Sequence, residues 1–369
     1  MKKQKICIIG DGLSGLTSAI AINNLDNVEV HLISKKSKKA MDKRTTAISE
    51  NNFKFLKDNI SKLDTRLFWP SKNIELFYET NINKINFFNF NQNKNNLMYV
   101  YENDKFKNIL LKEIKKKKIR TIEKDIKDLK QIKNYALIIL CLGGNSFLYD
   151  KIIKGRSIRK DYKEIALTGY VKHKLRKVKT SQFFLKEGPL AILPFSKNYF
   201  SFVWSLNKDF YENNSKKINN LAKSKIKNIL KIKHNIKITN TQSHPLKLNL
   251  KTKYFNKNIL ILGEGLHAMH PIAGQGFNLI LRDIKKLQEI LKYYSQLGIS
   301  FKSSFALDDF YAQRKAENIV FGLGVDAAHT FFKQNKYLDP FKEIILKNIG
   351  KNNVVKKISK IIANQGLSI

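Results

Sequence analysis

The sequence predicts an α/β protein with a parallel sheet assembled from separated segments, a mostly antiparallel sheet inserted between them, and C-terminal helices. The parallel sheet is predicted by three short apolar runs that lie far apart and each lead into a glycine, a pattern typical of strands buried on both faces. The inserted sheet is predicted by alternating β-branched and aromatic residues over 73–101 and 162–206. From about residue 302 the periodicity is helical. The apolar runs and their glycines are 5–9 with Gly10, 136–142 with Gly143, and 258–262 with Gly263.

The remaining elements follow from periodicity in chain order. The first apolar run is followed by a helical stretch and then by a second strand, which makes a β-α-β unit. Three later stretches are also helical, and the last of them is rich in lysine. The predicted helices are 16–25, 45–58, 103–116 and 211–233, and the second strand is 28–33.

A glycine-rich turn, GDGLSG at residues 10–15, joins the first strand to the first helix. In this context the first glycine makes the tight turn, the second lets the backbone approach a pyrophosphate, and the third lets the helix pack closely on the strand. The N–H groups and the dipole at the helix N-terminus stabilise the anion. We therefore predict a Rossmann-like unit that binds a dinucleotide through Gly10, Gly12, Leu13, Ser14 and Gly15.

The end of the second strand does not identify the dinucleotide. An acidic residue commonly stands there and binds the adenosine ribose, but this chain has Ser34, followed by Lys35 and Lys36. A serine and two lysines would also suit a 2′-phosphate, so this segment leaves FAD and NADP both open. In either case we expect Ser34 to lie at the adenosine end of the cofactor.

A longer segment follows the third apolar run: GEGLHAMHPIAGQGFN at residues 263–278. It resembles the second FAD fingerprint of the para-hydroxybenzoate hydroxylase superfamily of flavin monooxygenases. The resemblance implies that Glu264 binds the ribityl chain of FAD. It also implies that the following turn opens a helix whose N–H groups face the flavin pyrimidine and stabilise negative charge on the reduced ring. The residues assigned to this turn are Pro271, Gly274, Gly276, Phe277 and Asn278.

Five further segments resemble the ubiquinone-biosynthesis hydroxylases within that superfamily. They occur in the family's order and extend the resemblance over nearly the whole chain. The resemblance implies that Arg44, in the first of them, helps to hold FAD. The segments are 42–49 (DKRTTAIS), 99–103 (YVYEN), 188–194 (GPLAILP), 281–283 (LRD) and 314–332 (RKAENIVFGLGVDAAHTFF).

The resemblance also implies a domain organisation of the GR2 type. The FAD-binding domain would comprise 1–72, 99–160 and 250–300. A mostly antiparallel substrate-binding sheet would comprise 73–98 and 161–249, and a helical region 301–369.

The implied reaction is hydroxylation of the aromatic ring of a polyprenylated phenol in ubiquinone biosynthesis. It would use O₂ and a flavin C4a-hydroperoxide, with electrons from NAD(P)H or a protein reductase. The competing hypothesis is a diverged, weakly FAD-binding subunit of the ubiquinone-biosynthesis assembly that has no catalytic role. The sequence identifies neither a catalytic acid or base nor the ring position.

Three positions depart from the family pattern. Ser34 replaces the usual acid at the adenosine end, and Glu264 replaces the usual aspartate. Gly143 stands where the family has an aspartate near the FAD pyrophosphate and the route of the nicotinamide donor. We therefore expect weaker binding of adenosine and slow direct reduction.

The formal net charge of +39 comes from 69 Lys and Arg against 30 Asp and Glu. Such a charge can indicate a nucleic acid or an anionic membrane as partner. The lysines are spread over the whole chain, however, so we expect no specific nucleic-acid site and only weak association with a membrane surface. The chain enters its first strand at once, which leaves no room for a signal peptide and favours the cytoplasm, with a peripheral position at the inner face of the membrane as an option.

Two other patterns have ordinary structural explanations. His267 and His270 are three residues apart, but no third ligand is evident in sequence, so we expect no metal. Cys7 and Cys141 lie in apolar runs and are expected to be reduced core residues. A set of aromatic residues in the inserted sheet is expected to be mostly core: Phe183, Phe184, Phe195, Phe200, Phe202 and Trp204.

Overall fold

The computed structural model describes residues 3–35, 42–80, 84–91, 95–144, 146–153, 157–333 and 339–351. The strands of these residues, in chain order, are β1 Gln4–Ile9, β2 Val28–Ser34, β3 Thr45–Ser49, β4 Trp69–Ser71, β5 Asn73–Glu79, β6 Lys84–Asn91, β7 Met98–Glu102, β8 Arg120–Glu123, β9 Leu137–Leu140, β10 Ser157–Lys172, β11 Thr180–Leu185, β12 Gly188–Ser196, β13 Tyr199–Asn207, β14 Lys237–Lys251, β15 Phe255–Asn256, β16 Ile259–Ile261 and β17 His267–Ala268. The helices are α1 Leu13–Asn23, α2 Glu50–Asn59, α3 Asn103–Lys116, α4 Leu148–Ile152, α5 Lys208–Asn213, α6 Ile218–Ile229, α7 Gly276–Gln296, α8 Phe305–Phe332 and α9 Asp339–Lys351.

The first sheet has six strands in the order β15-β16-β9-β1-β2-β8. Its neighbours are parallel except for β15, which is antiparallel to β16. The three apolar runs therefore lie side by side as β1, β9 and β16, although they are far apart in sequence. Because their carboxyl ends share one edge of the sheet, the turns at Gly10, Gly143 and Gly263 meet there. Ligands of open parallel sheets bind at this edge.

The largest core lies between this sheet and the helices that cover it, among them α1, α3 and α7. Cys7 and Cys141 are both buried in it and form no disulfide, as predicted. Burial raises the pKa of each thiol to about 12. Both cysteines are therefore protonated core residues at neutral pH.

The second sheet has eight strands in the order β17-β14-β10-β13-β12-β11-β5-β6, antiparallel apart from the pair β11 and β5. Its side chains alternate between two faces. One face carries large apolar side chains that pack against α6: Phe183, Leu190, Ile192, Phe200, Phe202 and Trp204, with Ile218, Ala222 and Ile226 of the helix. The other face is lined near its centre by small side chains: Ala166, Thr168, Ala191, Ser201 and Val203. The small side chains leave space above that face.

The aromatic residues singled out in the sequence are mostly core, as predicted. Four of them pack with α6 as described above. Phe184 belongs to a separate cluster with Tyr78, Phe87 and Phe88, while Phe195 is only half-buried.

Strands β3, β7 and β4 form a small third sheet in that order. Part of it was predicted wrongly, since 45–58 was expected to be a single helix. The β-branched residues at the start of this stretch form β3, which pairs with β7. Helix α2 begins only after Ser49, whose side chain caps it by accepting from the N–H of Asn52.

The helix expected over 211–233 is also different. Helix α5 begins earlier, at Lys208, and the chain turns at Asn214 before α6 begins at Ile218. Asparagine favours caps and turns over helix interiors, so the Asn213-Asn214 pair divides the lysine-rich stretch.

The mixed α/β architecture with separate parallel and antiparallel sheets confirms the predicted fold class. The boundaries 73–98 and 161–249 for a substrate domain remain a prediction, because sheet membership does not show which units fold separately. Among the described residues, no helix combines the length and the apolar character needed to cross a bilayer.

Candidate functional site

A cavity of about 1000 Å³ lies between the edge of the parallel sheet and the small-residue face of the second sheet. Ten of the thirteen residues that we predicted to bind the cofactor line it: Gly12, Leu13, Ser14, Arg44, Glu264, Pro271, Gly274, Gly276, Phe277 and Asn278. The fold thus brings both glycine-rich segments to one space. Gly10, Gly15 and Ser34 do not line it. The assignment of all thirteen to cofactor binding remains a prediction.

The first glycine turn has the geometry that a pyrophosphate requires. Gly10 has φ +117°, and an added Cβ would lie 2.1 Å from the carbonyl oxygen of Cys141. At Gly15 an added Cβ would lie 1.9 Å from the carbonyl oxygen of Gly10. At Gly12, which caps α1 and lines the cavity, a Cβ would meet nothing within 4 Å. Gly10 and Gly15 therefore permit close packing of the backbone, and Gly12 leaves room for an anion at the start of α1.

Arg44 lies at the cavity wall in a rigid pair with Asp42. Its Nε and Nη2 donate to the two carboxylate oxygens of Asp42 at 2.6 and 2.8 Å. Asn103 donates a further hydrogen bond to Asp42 at 2.9 Å. Burial opposes ionisation of Asp42, but the hydrogen bond and the charge of Arg44 lower its pKa overall. The pair is therefore ionised, with the guanidinium in a fixed plane.

The second fingerprint turn is tied to β3 and α2 through the buried side chain of Asn278. Its Oδ1 accepts from the N–H of Ser49 at 2.8 Å and from Asn52 at 2.7 Å. Its amide nitrogen donates to the carbonyls of Ala47 and Gly274, at 2.9 and 3.1 Å. The side chain thus holds the turn in place. The first N–H groups of α7, at Gly276, Phe277 and Asn278, have no acceptor within the helix. These donors fit the negative charge of a reduced flavin.

Glu264 and Gly143 both line the cavity, at the ends of β16 and β9. Glu264 is exposed. The hydrogen bond to Asp42 raises the pKa of Arg44 against the opposing effect of burial, and the charge of Glu264 adds a smaller increase. Gly143 has φ +75°, and an added Cβ would meet nothing within 4 Å. A side chain at position 143 would therefore project into open space.

Ser34 is half-buried at the end of β2, and its carbonyl accepts from the N–H of Lys124 at 2.9 Å. Lys35 forms an exposed ion pair with Asp125 at 2.9 Å. This pair engages one of the two lysines considered for a 2′-phosphate. The other, Lys36, lies outside the described residues.

We expect Ser34→Glu to tighten FAD binding several-fold. A carboxylate would accept a charge-assisted hydrogen bond from the ribose, which is stronger than a neutral one by on the order of 1 kcal/mol. Titration of the FAD-free protein with FAD and with NADP measures the effect. Ser34→Gln is the matched control, because it adds the same length without charge and should leave the affinity nearly unchanged. Weaker FAD binding in Ser34→Glu, or a preference of the wild type for NADP, would contradict this assignment.

A buried cluster lies behind the fingerprint turn. Glu164 of β10 meets the Nε2 of His270 at 3.1 Å and the Nε2 of His329, in α8, at 3.0 Å. The Nδ1 of His270 accepts from the N–H of Ile272 at 3.3 Å, which places the ring proton on Nε2. Burial opposes ionisation of Glu164, but hydrogen bonds from both histidines lower its pKa to about 2.

These three groups could hold a metal by position alone. A ligand nitrogen must be unprotonated, however, and the Nε2 of His270 carries its proton toward Glu164. The geometry favours a hydrogen-bonded cluster that holds the turn at His270 and Pro271 in place. The sequence pattern did not reveal Glu164 or His329, because neither is near His270 in the chain. His267 has a different partner, the buried carboxylate of Asp283 at 2.6 Å.

His244 is among the cavity residues that the sequence did not single out. His244 of β14 lies opposite Ala166 of β10, and its ring lines the cavity. It belongs to no motif, and only the alternation of β14 could have placed it on the cavity face.

Comparisons with known proteins agree with this geometry. A family model described as an FAD binding domain matches residues 157–296. Over 216 residues the chain is 25% identical to the mitochondrial ubiquinone biosynthesis monooxygenase COQ6 of Dictyostelium discoideum, covering 48% of this chain and 44% of that protein. It is 26% identical to the 3-demethoxyubiquinol 3-hydroxylase of Escherichia coli, covering 46% of this chain and 43% of that protein. The matched segments thus span less than half the length of these relatives.

Solved structures extend the likeness to the whole fold. The p-nitrophenol 4-monooxygenase PnpA of Pseudomonas putida superposes with a TM-score of 0.80, covers 100% of both chains and is 13% identical. The FAD-dependent monooxygenase pqsL of Pseudomonas aeruginosa, described as probable, gives a TM-score of 0.72 at 13% identity, over 90% of this chain and 97% of that one. At these identities the likeness concerns the fold alone.

Proposed function

We propose that this chain is a member of the para-hydroxybenzoate hydroxylase superfamily of FAD-dependent monooxygenases and that it hydroxylates the ring of a polyprenylated phenol in ubiquinone biosynthesis. The observation that carries the proposal is one cavity that both glycine-rich turns share with the small-residue face of the second sheet. The names of the curated relatives, COQ6 and 3-demethoxyubiquinol 3-hydroxylase, support the same pathway.

FAD would be held by the α1 turn at its pyrophosphate, by Arg44 and Glu264 along its length, and by the first turn of α7 at its ring. When bound, FAD supplies the activation of O₂ and the transfer of one oxygen atom to the ring. The residues of this chain bind and orient the reactants and exclude water from them. The open space at Gly12 and Gly276, where an added Cβ meets nothing within 4 Å, fits a bound dinucleotide.

The far end of the cavity suits an isoprenoid tail. There β5 and β6 contribute the apolar side chains of Ile74, Leu76, Phe88 and Phe90. Burial of apolar surface favours such a tail by roughly 25 cal/mol per Å². The small residues at the centre of the sheet face would accommodate the flat phenol ring between this apolar end and the cofactor.

A membrane surface is the source of so lipophilic a substrate, and we include weak peripheral binding in the proposal. Helix α9 packs beside β6 and exposes Phe341 (66%), Ile344 (60%) and Ile345 (43%). Together with the positive charge of the chain, these residues suit an anionic lipid surface.

We expect co-flotation with vesicles that contain phosphatidylglycerol, and weaker flotation with pure phosphatidylcholine. Phe341→Ser with Ile344→Ser should reduce it, and equal flotation of variant and wild type would remove α9 from the proposal. Membership of a protein assembly remains a prediction, to be checked by co-purification.

We expect a protein reductase, and not a nicotinamide alone, to be the efficient electron donor. Because Gly143 offers no carboxylate to orient a nicotinamide, we expect NADPH and NADH to bleach the bound flavin slowly under anaerobic conditions. A reductase or ferredoxin-type donor should act faster. Loss of orientation can cost about a hundredfold in rate, so Gly143→Asp should recover up to about that factor with NADPH. Aspartate tolerates the positive φ of this position better than most residues.

Stopped-flow absorbance of the flavin measures these rates. Gly143→Asn is the matched control, because it has the same shape without the charge. Rapid reduction of the wild type by NADPH alone would show that Gly143 does not limit the reaction.

A single-turnover experiment tests the proposed function without knowledge of the donor. The FAD-loaded protein is reduced with dithionite and mixed with ¹⁸O₂ in the presence of 2-farnesylphenol. We expect one ¹⁸O atom in the ring of the product, detected by mass spectrometry. In cells, deletion of the gene should lead to an under-hydroxylated prenylated precursor. A protein that purifies without flavin and yields no labelled product would overturn the proposal in favour of a non-catalytic subunit.

A further inference from the structure

His244 of β14 lines the cavity, and its Nε2 has no hydrogen-bond partner among the described residues. The ring lies on the same sheet face as Ala166 and Thr168. This Nε2 atom is buried against the protein. A buried polar atom left without a partner is costly, so a turn of the ring that brings this nitrogen to the cavity is favoured when a ligand there can donate to it.

The electrostatic surroundings keep the His244 ring neutral. Burial lowers its pKa below the usual value, and the positive charge of Arg44 lowers it further. The carboxylates of Asp42 and Glu264 act in the opposite direction and are outweighed. At neutral pH the imidazole therefore has one unprotonated nitrogen, which can accept a hydrogen bond or a proton.

A hydrogen bond links this sheet face to the proposed flavin site: Tyr170 of β10, on the same face as Ala166 and Thr168, donates to the carbonyl of Arg44 at 3.3 Å. Arg44, Asp42 and Glu264 all lie at the cofactor side of the cavity, whereas β14 belongs to the sheet face where the substrate ring would lie. A group between cofactor and substrate can contact the substituent of the ring that reacts.

We propose that His244 binds the phenol hydroxyl of the substrate and accepts its proton during hydroxylation, an inference that rests on the proposed function. The O–H bond breaks, its electron pair remains on oxygen, and a new bond forms between the proton and Nε2. The resulting phenolate makes the ring carbon more nucleophilic toward the oxygen donor. When the ring becomes aromatic again, the imidazolium returns the proton to the oxygen and the ring C–H proton goes to water. General-base assistance of this kind contributes about 10²- to 10⁴-fold in rate.

Two substitutions separate binding from proton transfer. His244→Phe keeps a flat ring and removes the acceptor. His244→Gln keeps an acceptor oxygen but cannot take up the proton. His234→Gln is the matched control, since His234 does not line the cavity and its Nε2 accepts from the N–H of Lys174 at 3.2 Å.

The binding measurement uses the visible spectrum of the bound flavin. We expect the wild type to bind 2-farnesylphenol about tenfold more tightly than its O-methyl ether, the ratio for one hydrogen bond. His244→Phe should bind both equally. His244→Gln and His234→Gln should retain the preference. Retention of the full preference for the phenol in His244→Phe would overturn the inference. A His244→Phe variant that loses bound flavin, and not its preference for the phenol, would also overturn it.

The rate measurement is the single-turnover hydroxylation as a function of pH. The wild-type rate should fall as pH decreases through the lowered pKa of His244, because the protonated ring cannot accept. His244→Gln should be slower by about a hundredfold or more and should lack this limb of the profile. An unchanged rate and profile in His244→Gln, with the wild type active, would overturn the role of His244 alone. A wild type that neither binds nor hydroxylates the phenol would overturn the proposed function together with this inference.

Discussion

Gly12→Val should abolish FAD binding while leaving the protein folded. Gly12 has an ordinary φ of −72° as the cap of α1, and an added Cβ meets no protein atom within 4 Å. The branched side chain would therefore occupy the space proposed for the pyrophosphate. Overpacking typically costs about 1–3 kcal/mol, and the upper end of this range weakens binding roughly a hundredfold. The measurement is the flavin content of the purified protein, followed by titration with FAD.

Gly324→Val is the control for the substitution itself. Gly324 lies in α8 away from the cavity, and its Cβ would also meet nothing within 4 Å, so this variant should retain flavin. Gly15→Val should behave differently from both and fail to fold, because its Cβ would overlap the carbonyl of Gly10. Wild-type occupancy in Gly12→Val would show that the turn does not hold a phosphate group.

Arg314→Met should lower the free energy of unfolding by about 3–5 kcal/mol, the usual effect of removing one partner from a buried ion pair. Arg314 of α8 donates from Nε to Asp283 of α7 at 2.6 Å, and it also pairs with Glu317. Asp283 is fully buried, and the same carboxylate accepts from His267. Burial opposes ionisation of Asp283, but the charge of Arg314 and the hydrogen bond from His267 lower its pKa overall. Without Arg314 this buried charge loses its main partner.

Urea unfolding of the FAD-free protein measures this loss without a contribution from bound cofactor. Arg66→Met is the control, since Arg66 makes a similar two-pronged contact with Asp64 but its side chain is 88% exposed. Exposed pairs contribute little, so no measurable change is expected there. The double variant Asp283→Leu with Arg314→Met should recover part of the loss, because it leaves no charge of this pair buried. Equal stability of Arg314→Met and Arg66→Met would contradict the importance of this pair.

The sequence singled out the two glycine-rich turns of the cavity because the chemistry proposed for them depends on local backbone geometry. A tight turn, an open helix N-terminus and a close approach of two backbones each require glycine at a fixed spacing, so residues 10–15 carry the information themselves. The second fingerprint is readable for the same reason. The fold class followed from the apolar runs, which must be buried on both faces wherever their partners lie in sequence.

The part of the cavity proposed for the substrate could not be predicted in the same way. His244 reaches the cavity only because β14 pairs with β10 in one register, and a shift by one residue would turn its ring to the opposite face. Glu164 and His329 meet His270 from different sheets and helices, and no spacing in the sequence encodes this meeting. The incorrect helix over 45–58 has a related origin: the pairing of β3 with β7 outweighed a local pattern compatible with a helix.

The two glycine-rich turns are separated by roughly 250 residues of chain, and this separation sets the order of events during synthesis. The β-α-β unit is synthesised early, yet the sheet is incomplete until β16 takes its place beside β9. Non-local parallel pairing of this kind is slow and leaves sheet edges open to aggregation. FAD can therefore bind only late, and it stabilises only those chains in which the two glycine-rich turns have already come together. Riboflavin is the precursor of FAD, so cells short of riboflavin should accumulate less of this protein. Chains that fold without bound FAD are less stable and should be degraded.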